Sequence, residues 1–406
     1  MTARHDVVVI GGGLVGASLA IALEDSGLDV AMVEAAPAAA MPAVFDERNL
    51  SFAEATIHAL TALGVMQRLR APTGAITRIH ASRRGDFGRV LLEAADYGRA
   101  AFGQVVVARD FGEALESRLA GVAGLVRHRG ARFTGFGLDD NGHRVLELAG
   151  DGPSRLRARL VVAADGMHSG VREALGITAT RHDYGQVLML ARLRAARAPD
   201  GTAYERLGDD GPTALLPRGD RAWGLVHGVA TADAAAVQAL DDAGFLARVQ
   251  DAFGWRIGRL LSVGPRSAYP AVAMRADDTI APRAVLVGNA AQSIHPVGAQ
   301  GFNLGLRDAM TLAESLSACA RGDGDPGDPA LLAAYAARRR EDRSRTLDFS
   351  DGLARLTANP GRGASLLRSA GLVALAALPG LQASVVGGAM GYRGDVPDAC
   401  RAEAVR

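Results

Sequence analysis

The stretch that most constrains this chain spans residues 6 to 34. Asp6-Val7-Val8-Val9-Ile10 predicts a strand and Gly11-Gly12-Gly13-Leu14-Val15-Gly16 a tight turn. Ala17 to Asp25 predicts a helix stopped at Gly27, and Val30-Ala31-Met32-Val33 a second strand. Together they make a βαβ unit. The spacing Gly11-x-Gly13-x-x-Gly16 supplies one glycine for the turn, one for close backbone approach to a pyrophosphate and one for packing helix on strand. The helix N-terminus then aims its free N–H groups at the anion. Glu34 ends the second strand, where a carboxylate accepts hydrogen bonds from both hydroxyls of a ribose.

Composition narrows the chemistry. All 45 basic residues among the 406 are arginine, so there is no lysine. A P-loop, a pyridoxal Schiff base and a protein kinase each need a lysine ammonium, and these classes are excluded. A formal charge of +1 creates no broad positive field, which argues against nucleic acid as a partner. The balance of 49% hydrophobic to 22% charged residues suits a folded chain with a large core. At roughly 150 residues per domain, the length predicts two or three domains. Cys319 and Cys400 are too few for a four-thiolate metal or iron–sulfur site and are not at redox-motif spacing. We therefore expect no metal and a reducing cytoplasm. The chain runs straight into its first apolar strand, so a start at Met1 without a cleaved leader is expected.

Beyond residue 34 the pattern alternates. A helix is expected over Ala53 to Leu69, ended by Ala71-Pro72, then antiparallel strands at Ile76 to Ser82 and Arg89 to Glu93. Helix returns at Phe111 to Leu119, followed by a strand at Gly124 to His128. A hairpin over Arg132 to Leu148 turns at Asp139-Asp140-Asn141-Gly142, and a strand Leu160 to Ala164 ends on Asp165-Gly166. Strands at Val187 to Leu193, Thr213 to Leu216 and Ala222 to Val229, with a helix near Phe245 to Phe253, predict a mostly antiparallel domain. The strand Ala284 to Val287 and a helix from Gly305 to Ala320 resume the first unit. Residues 321 to 329 form an exposed loop, and helices run to the end. Ser369 to Tyr392 carries no charge, but glycines, Pro379 and Gln382 interrupt it. A buried helix pair or a surface-lying segment is expected there rather than a spanning helix.

Two further constellations follow strands. The run from Gly288-Asn289-Ala290 to Gly305 combines small residues that let backbone approach a ligand with Pro296 and glycines that fix an exposed loop. Gly301 to Asn303 open a helix whose free N–H groups face an electron-rich ring edge. Ala163-Ala164-Asp165-Gly166 to Arg172 repeats the strand-then-turn arrangement and approaches a dinucleotide from the other side. With the glycine turn, these motifs resemble the class A, single-component flavin aromatic hydroxylases over essentially the whole chain. The chain is most similar to the ubiquinone-biosynthesis hydroxylases, and among them to those acting on 2-polyprenyl-6-methoxyphenol. The matching residues are Phe45-Asp46-Glu47-Arg48, Gly103-Gln104-Val105-Val106, Gly254-Trp255-Arg256, Arg266-Ser267-Ala268-Tyr269-Pro270 and the block Gly288 to Asp308. Asn289 stands where the wider superfamily usually has aspartate, as it does in the methoxyphenol subgroup. Gly298-Ala299-Gln300-Gly301 replaces the Ala-Gly-Gln-Gly of many relatives, so a shifted loop rather than a lost site is expected.

The resemblance implies FAD as cofactor, NADPH or NADH as reductant, O2 as co-substrate, and a C4a-hydroperoxyflavin that hydroxylates a prenylated phenol. It implies an α/β fold with a Rossmann-like FAD-binding domain over 1–73, 99–179 and 271–330. An interleaved α+β substrate domain with an antiparallel sheet occupies 74–98 and 180–270, and a C-terminal helical region 331–406. Gly11, Gly13 and Gly16 are implied at the pyrophosphate, Glu34 at the adenosine ribose, Arg48 near the flavin, and Asp165 in a motif shared by FAD and the nicotinamide dinucleotide. Gly288 and Asn289 are implied at the ribityl or phosphate region. Gln300, Gly301, Phe302 and Asn303 are implied along the isoalloxazine edge, where N–H groups stabilise negative charge on the reduced ring. Leu216, Pro217 and Pro296 are implied as substrate lining. Arg109 has two readings, a flavin contact or a helix-start arginine on the surface. His295 either handles a phenol proton or holds a tight loop, and no other catalytic side chain is named because the cofactor carries the chemistry. Trp223, Trp255 and Tyr269 are read as core or cavity lining.

Alternatives remain at this stage. One is a hydroxylase of another ring position or aromatic substrate. Another is a non-catalytic prenyl-lipid carrier, against which the intact glycine motifs argue. A disulfide-type flavin reductase lacks its cysteine pair here, and a flavin halogenase lacks its lysine. Arg338, Arg339, Arg340, Arg343 and Arg345 cluster before the uncharged tail, as a solvated helix face or as a contact for an anionic membrane or acidic partner. Placement in the cytoplasm, peripheral on the inner membrane, and association with other ubiquinone-biosynthesis enzymes complete the expectations.

Overall fold

The computed structural model describes residues 3–43, 46–138, 142–295, 297–358 and 361–401. Phe45, Pro296 and the turn residues Asp139-Asp140-Asn141 lie outside the described residues. In chain order the first strands are β1 (Ala3–Ile10), β2 (Val30–Glu34), β3 (Asn49–Ala53), β4 (Gly74–Ile76), β5 (Arg78–Arg83), β6 (Arg89–Glu93) and β7 (Gly103–Val107). Next come β8 (Val126–Arg129), β9 (Ala131–Phe136), β10 (Arg144–Gly150), β11 (Arg155–Ala163), β12 (Ala179–Ala195), β13 (Thr202–Gly208) and β14 (Gly211–Pro217). The last are β15 (Trp223–Ala230), β16 (Leu260–Val263), β17 (Ser267–Ala276), β18 (Ile280–Ala281), β19 (Ala284–Leu286) and β20 (Gln292–Ser293). The helices are α1 (Leu14–Ala22), α2 (Glu54–Ala62), α3 (Ala108–Leu119), α4 (Gly170–Ala174) and α5 (Ala234–Ala239). They continue with α6 (Asp242–Phe253), α7 (Gly301–Arg321), α8 (Pro329–Ala358), α9 (Arg362–Ala377) and α10 (Pro379–Ala389).

Val7, Val8, Val9 and Ile10 are apolar at consecutive positions because β1 is covered on both faces, as the interior of a parallel sheet requires. One face packs on α1, α3 and α7 through Val7, Val9, Leu19, Phe111 and Leu312, the other on Leu146, Val161 and Val171. The sheet runs β18-β19-β11-β1-β2-β8, with β9 and β10 attached through β11, and β1 is parallel to both β2 and β11. A second, nine-stranded sheet runs β20-β17-β12-β15-β14-β13-β5-β6, with β16 on β12 and all pairings antiparallel except β13 with β5. Between them β3, β7 and β4 form a small sheet. The architecture is α/β, with a Rossmann-like parallel sheet beside a mostly antiparallel one.

Alternation along the second sheet separates its two faces. Met189, Ala191, Leu193, Leu215 and Leu225 pack on α5 and α6. The opposite face carries Ala203, Leu216, Ile79 and Leu92, which join Phe102, Leu372, Val386 and Met390 in a separate apolar cluster under α9 and α10.

Several expectations change. The helix read over Ala53 to Leu69 stops at Ala62, because Gly64 turns left-handed at φ +72° and a short 3-10 turn, Met66–Arg68, follows. Strand β12 is longer than Val187 to Leu193, since Thr180 to Asp183 pair with β17 despite their polarity. The loop before α8 is partly tucked in: Arg283 holds Asp325 at 2.6 Å, and Gly327 is buried. Trp255 is 68% exposed, not core, whereas Trp223 is buried and donates its indole N–H to the Arg197 carbonyl at 3.0 Å.

The arginine cluster is mostly inward-facing. Arg339 is buried and bonded to Asp308 and Asp342, each at 2.8 Å, while Arg338 meets Glu314 and Asp395. Arg343 bonds Gln292 and the carbonyls of Ala276 and Ala291, leaving Arg340 and Arg345 as the exposed members. The uncharged tail forms α9 and α10, bent by 94° between Ser365–Ala377 and Pro379–Ala389. Among the described residues no single helix is long and apolar enough to cross a membrane.

Candidate active site

The motif-bearing turns converge because each follows one of four neighbouring parallel strands. In the order β19-β11-β1-β2, the carboxyl ends lead to Gly288, Asp165, Gly11 and Glu34. A crevice at strand carboxyl ends is where open α/β sheets bind ligands. Gly11 has φ +105°, and a Cβ there would drive into the Ala164 carbonyl, so only glycine lets the turn lie against Asp165. Gly16 is equally constrained, since a Cβ would overlap the Gly11 carbonyl. Gly13 is the extended residue before α1 and offers no side-chain cap, leaving the helix's first N–H groups without a side-chain partner. The Glu34 carboxylate accepts N–H bonds from Gly12 and Ala36, both at 2.7 Å, which fixes it beside the glycine turn. Asp165 accepts the Val171 N–H at 3.2 Å through Oδ2, while its buried Oδ1 has no partner among the described residues. Burial raises its carboxyl above the usual carboxylate range despite the hydrogen bonds at Ser169 and Val171.

The loop after β19 is locked from beneath. Gly288 has φ +57°, and its position and that of Gly305 would each place a Cβ 2.9 Å from Val15, so α1, the Gly288 turn and α7 interlock. Asp308 on α7 accepts the Gly288 N–H at 3.3 Å, the Gln292 amide at 2.6 Å and Arg339 at 2.8 Å. Asn289 is exposed on the turn. Ala299 takes φ +51°, the left-handed conformation that suits the glycine many relatives have there. Gln300 precedes α7 and donates to the Gly298 carbonyl at 3.2 Å and the Ala389 carbonyl of α10 at 3.0 Å, and its buried Oε1 has no partner among the described residues. Gly301 is half-buried at the start of α7.

Two residues of that loop face inward. Asn303 spends its whole amide on structure: Oδ1 accepts from Ala53 N–H and the Thr56 hydroxyl, and Nδ2 donates to the Ser51 and Ala299 carbonyls. The Phe302 ring packs 5.4 Å from Phe52 and 5.3 Å from Phe111, measured between centroids. Their side chains therefore set the loop, and their backbone N–H groups belong to the free first turn of α7.

Arg48, just before β3 of the small sheet, reaches β17 of the nine-stranded sheet. It makes a bidentate pair with Asp46 at 2.7 Å and lies 4.4 Å over the Tyr269 ring of β17, whose hydroxyl donates to the same carboxylate. Despite the cost of desolvation, these partners lower the Asp46 pKa and raise that of Arg48. Arg109 is 53% exposed and paired with Glu47 and Asp110, while its backbone N–H donates to the Asp46 carbonyl at 2.8 Å. The side chain is thus a surface contact at the start of α3. His295 is buried, with Nδ1 facing the Val297 N–H at 3.2 Å and Nε2 facing the Gln186 carbonyl oxygen at 3.4 Å. Accepting at Nδ1 requires the proton on Nε2, and burial depresses the ring to about 4, so it is a neutral clamp between loop and β12. Leu216 and Pro217 lie on β14 of the second sheet, with Leu216 in the apolar cluster beneath α9 and α10.

Thr56 and Gln186 had no sequence reading because each acts on a residue distant in the chain, Asn303 and His295 respectively. Asp308 carried a signal, standing at the end of the Gly288 block. The glycine cradle, the unpartnered Asp165 oxygen and the uncapped helix starts fit an FAD laid across the carboxyl ends of the strands. Gly11, Gly13, Gly16 and Glu34 would hold its adenosine and pyrophosphate, and the Gly288 loop with α7 its ring end.

Residues 4–350 match the FAD binding domain family. The chain is 35% identical to the ubiquinone hydroxylase UbiL of Rhodospirillum rubrum, over 95% of this chain and 89% of that protein. It is 30% identical to the 3-demethoxyubiquinol 3-hydroxylase of Escherichia coli, over 83% of this chain and 86% of that protein. In fold it matches p-nitrophenol 4-monooxygenase PnpA of Pseudomonas putida, with a TM-score of 0.78 at 18% identity over 97% of this chain and 100% of that one. The chain accordingly belongs to the FAD binding domain family, as an FAD-dependent aromatic monooxygenase related to the ubiquinone hydroxylases.

Proposed function

We propose that this protein hydroxylates the ring of a polyprenylated phenol, of the 2-polyprenyl-6-methoxyphenol type, in ubiquinone biosynthesis, with NADPH or NADH as reductant and O2 as co-substrate. The observation that carries this reading is an apolar cluster, packed between α9, α10 and the second sheet, that begins at the cofactor loop. Gln300 ties that loop to Ala389 of α10, and from there Met390, Val386, Leu375 and Leu372 continue along the second sheet as one apolar cluster. A long prenyl tail needs such a lining, and a small polar phenol does not.

Bound FAD supplies the electron transfer and oxygen activation. The chain supplies binding and shielding. The free N–H groups in the first turn of α7 would stabilise negative charge on the ring of a bound flavin, and the helix dipole would add to them. Asp308 and Asn303 hold that turn in place, Arg48 and Tyr269 close the side toward the second sheet, and the apolar cluster keeps water away.

The remaining partner and location readings belong to the same proposal. Leu366 and Leu367 of α9, Leu378 at the bend and Leu381 of α10 are 75%, 64%, 54% and 44% exposed, which supports a peripheral contact with the inner membrane; association with partner enzymes of the pathway is part of the same proposal. The functional test is complementation of strains each lacking one ring hydroxylase. Restored quinone synthesis in one of them is expected, and the strain identifies the ring carbon. Failure in every strain contradicts the proposal.

A further inference from the structure

Residues opposite each other in register share a sheet face, which identifies what the cofactor side of the second sheet presents. Tyr269 on β17 stands opposite Leu188, and Leu188 opposite Gly228. From Gly228 the same face continues through Val226, Ala214 and Leu216, crosses to Glu205 and Ala203 on β13, and reaches Ala81 and Ile79 on β5. This is the side facing Arg48, since Arg48 lies over Tyr269, and a Cβ on Gly224 would meet Asn49. On this mostly apolar surface Glu205 sits opposite Ala214 and Ala81, and among the described residues its carboxylate has no hydrogen-bond or ion-pair partner.

Glu205, Ala81, Ile79 and Leu216 are only half-covered, whereas Ala203, Leu207, Ala214, Val90 and Leu92 around them are buried. Burial pushes the Glu205 carboxyl up to about 7. The cations nearest along this face are already engaged. Arg83, at the far end of β5, bonds Asp209 and Asp86, and Arg368 of α9 bonds Asp86 at 2.6 Å. Leaving a carboxylate without a partner in apolar surroundings costs stability, and such a group persists where a ligand completes it.

We propose that Glu205 recognises the substrate ring, its carboxylate accepting the hydrogen bond of the phenol hydroxyl. This rests on the hydroxylase reading above. The hydrogen bond orients the ring and draws electron density from the O–H bond toward the ring, which raises the ring's nucleophilicity. The apolar residues on either side take the ring edges and the start of the tail.

The test titrates holoenzyme with 2-allyl-6-methoxyphenol and with its methyl ether, which lacks the hydroxyl, and follows the absorbance of the bound flavin. At pH 8 the phenol is expected to bind about tenfold more weakly to Glu205→Gln than to the parent, the loss of one hydrogen bond to a charged acceptor. The ether should bind both proteins equally, and flavin content should be unchanged. At pH 6 the difference between the two proteins should shrink, because the parent carboxyl is then protonated. Equal binding of the phenol to both proteins at pH 8 overturns the role of Glu205 alone. Absence of any response to either ring in the parent protein overturns both this role and the hydroxylase reading.

Discussion

The guanidinium of Arg48 lies over the ring of Tyr269, 4.4 Å from its centroid, and joins the segment before β3 to strand β17 of the second sheet. Asp46 binds both partners, accepting from the Arg48 guanidinium and from the Tyr269 hydroxyl. The segment before β3 and the second sheet are therefore tied to each other by three side chains. Tyr269→Phe removes one hydrogen bond of this set while keeping the ring under Arg48. We expect FAD affinity to fall by a factor of about 5 to 10, the effect of roughly 1 kcal/mol, with the melting temperature little changed. Fluorescence titration of apoprotein with FAD measures it.

Beneath the site, Asp342 pairs with both Arg307 and Arg339, and all three are almost fully buried. Asp342→Ala leaves buried Arg307 without its anion and Arg339 with Asp308 alone, so a loss of about 3 to 5 kcal/mol is expected. Thermal or urea unfolding will show it. Arg345→Ala, on the exposed side of the same helix, should change stability by less than about 0.5 kcal/mol.

Ala299 occupies a left-handed conformation at φ +51° in the cofactor loop. Such a conformation costs an alanine about 1 kcal/mol, which glycine avoids. Ala299→Gly is expected to raise stability by up to that amount without loss of bound FAD. Equilibrium unfolding of the holoprotein decides the sign.

Two buried imidazoles govern acid sensitivity. Burial lowers His295 and His227 to about 4 from an ordinary value of 6.5. Each binds a proton more readily in the unfolded chain than in the folded one, so its contribution is present above pH 6.5 and is lost progressively as the pH falls toward 4. The melting temperature should drop over this window. His227→Gln should flatten the profile, because Gln does not titrate.

The sequence carried the cofactor half of this account further than the substrate half, for a physical reason. Gly11 to Glu34 form a local unit whose turn, helix and strands are dictated by neighbouring residues, and β1, α1 and β2 lie where the pattern places them. Asp308 and Gly288 are also close in the chain, yet their bond depends on how α7 returns beneath the loop. Arg339 and Arg343 looked like a solvated stripe because periodicity cannot reveal that α8 packs on α7. The polar residues Thr180 to Asp183 hid half of β12, since their pairing partner on β17 is more than 80 residues away. Glu205 had no local signal, and its meaning comes only from the register of three strands.

The most direct test of the central claim is oxygen incorporation by the purified holoprotein. With FAD bound, NADPH and 18O2 should convert a short-chain prenylated methoxyphenol to a product carrying one labelled hydroxyl, read by mass spectrometry. Appearance of hydroxylated product without the label, or consumption of NADPH with no product from any prenylated phenol, would contradict the assignment of this chain as a phenol-ring monooxygenase.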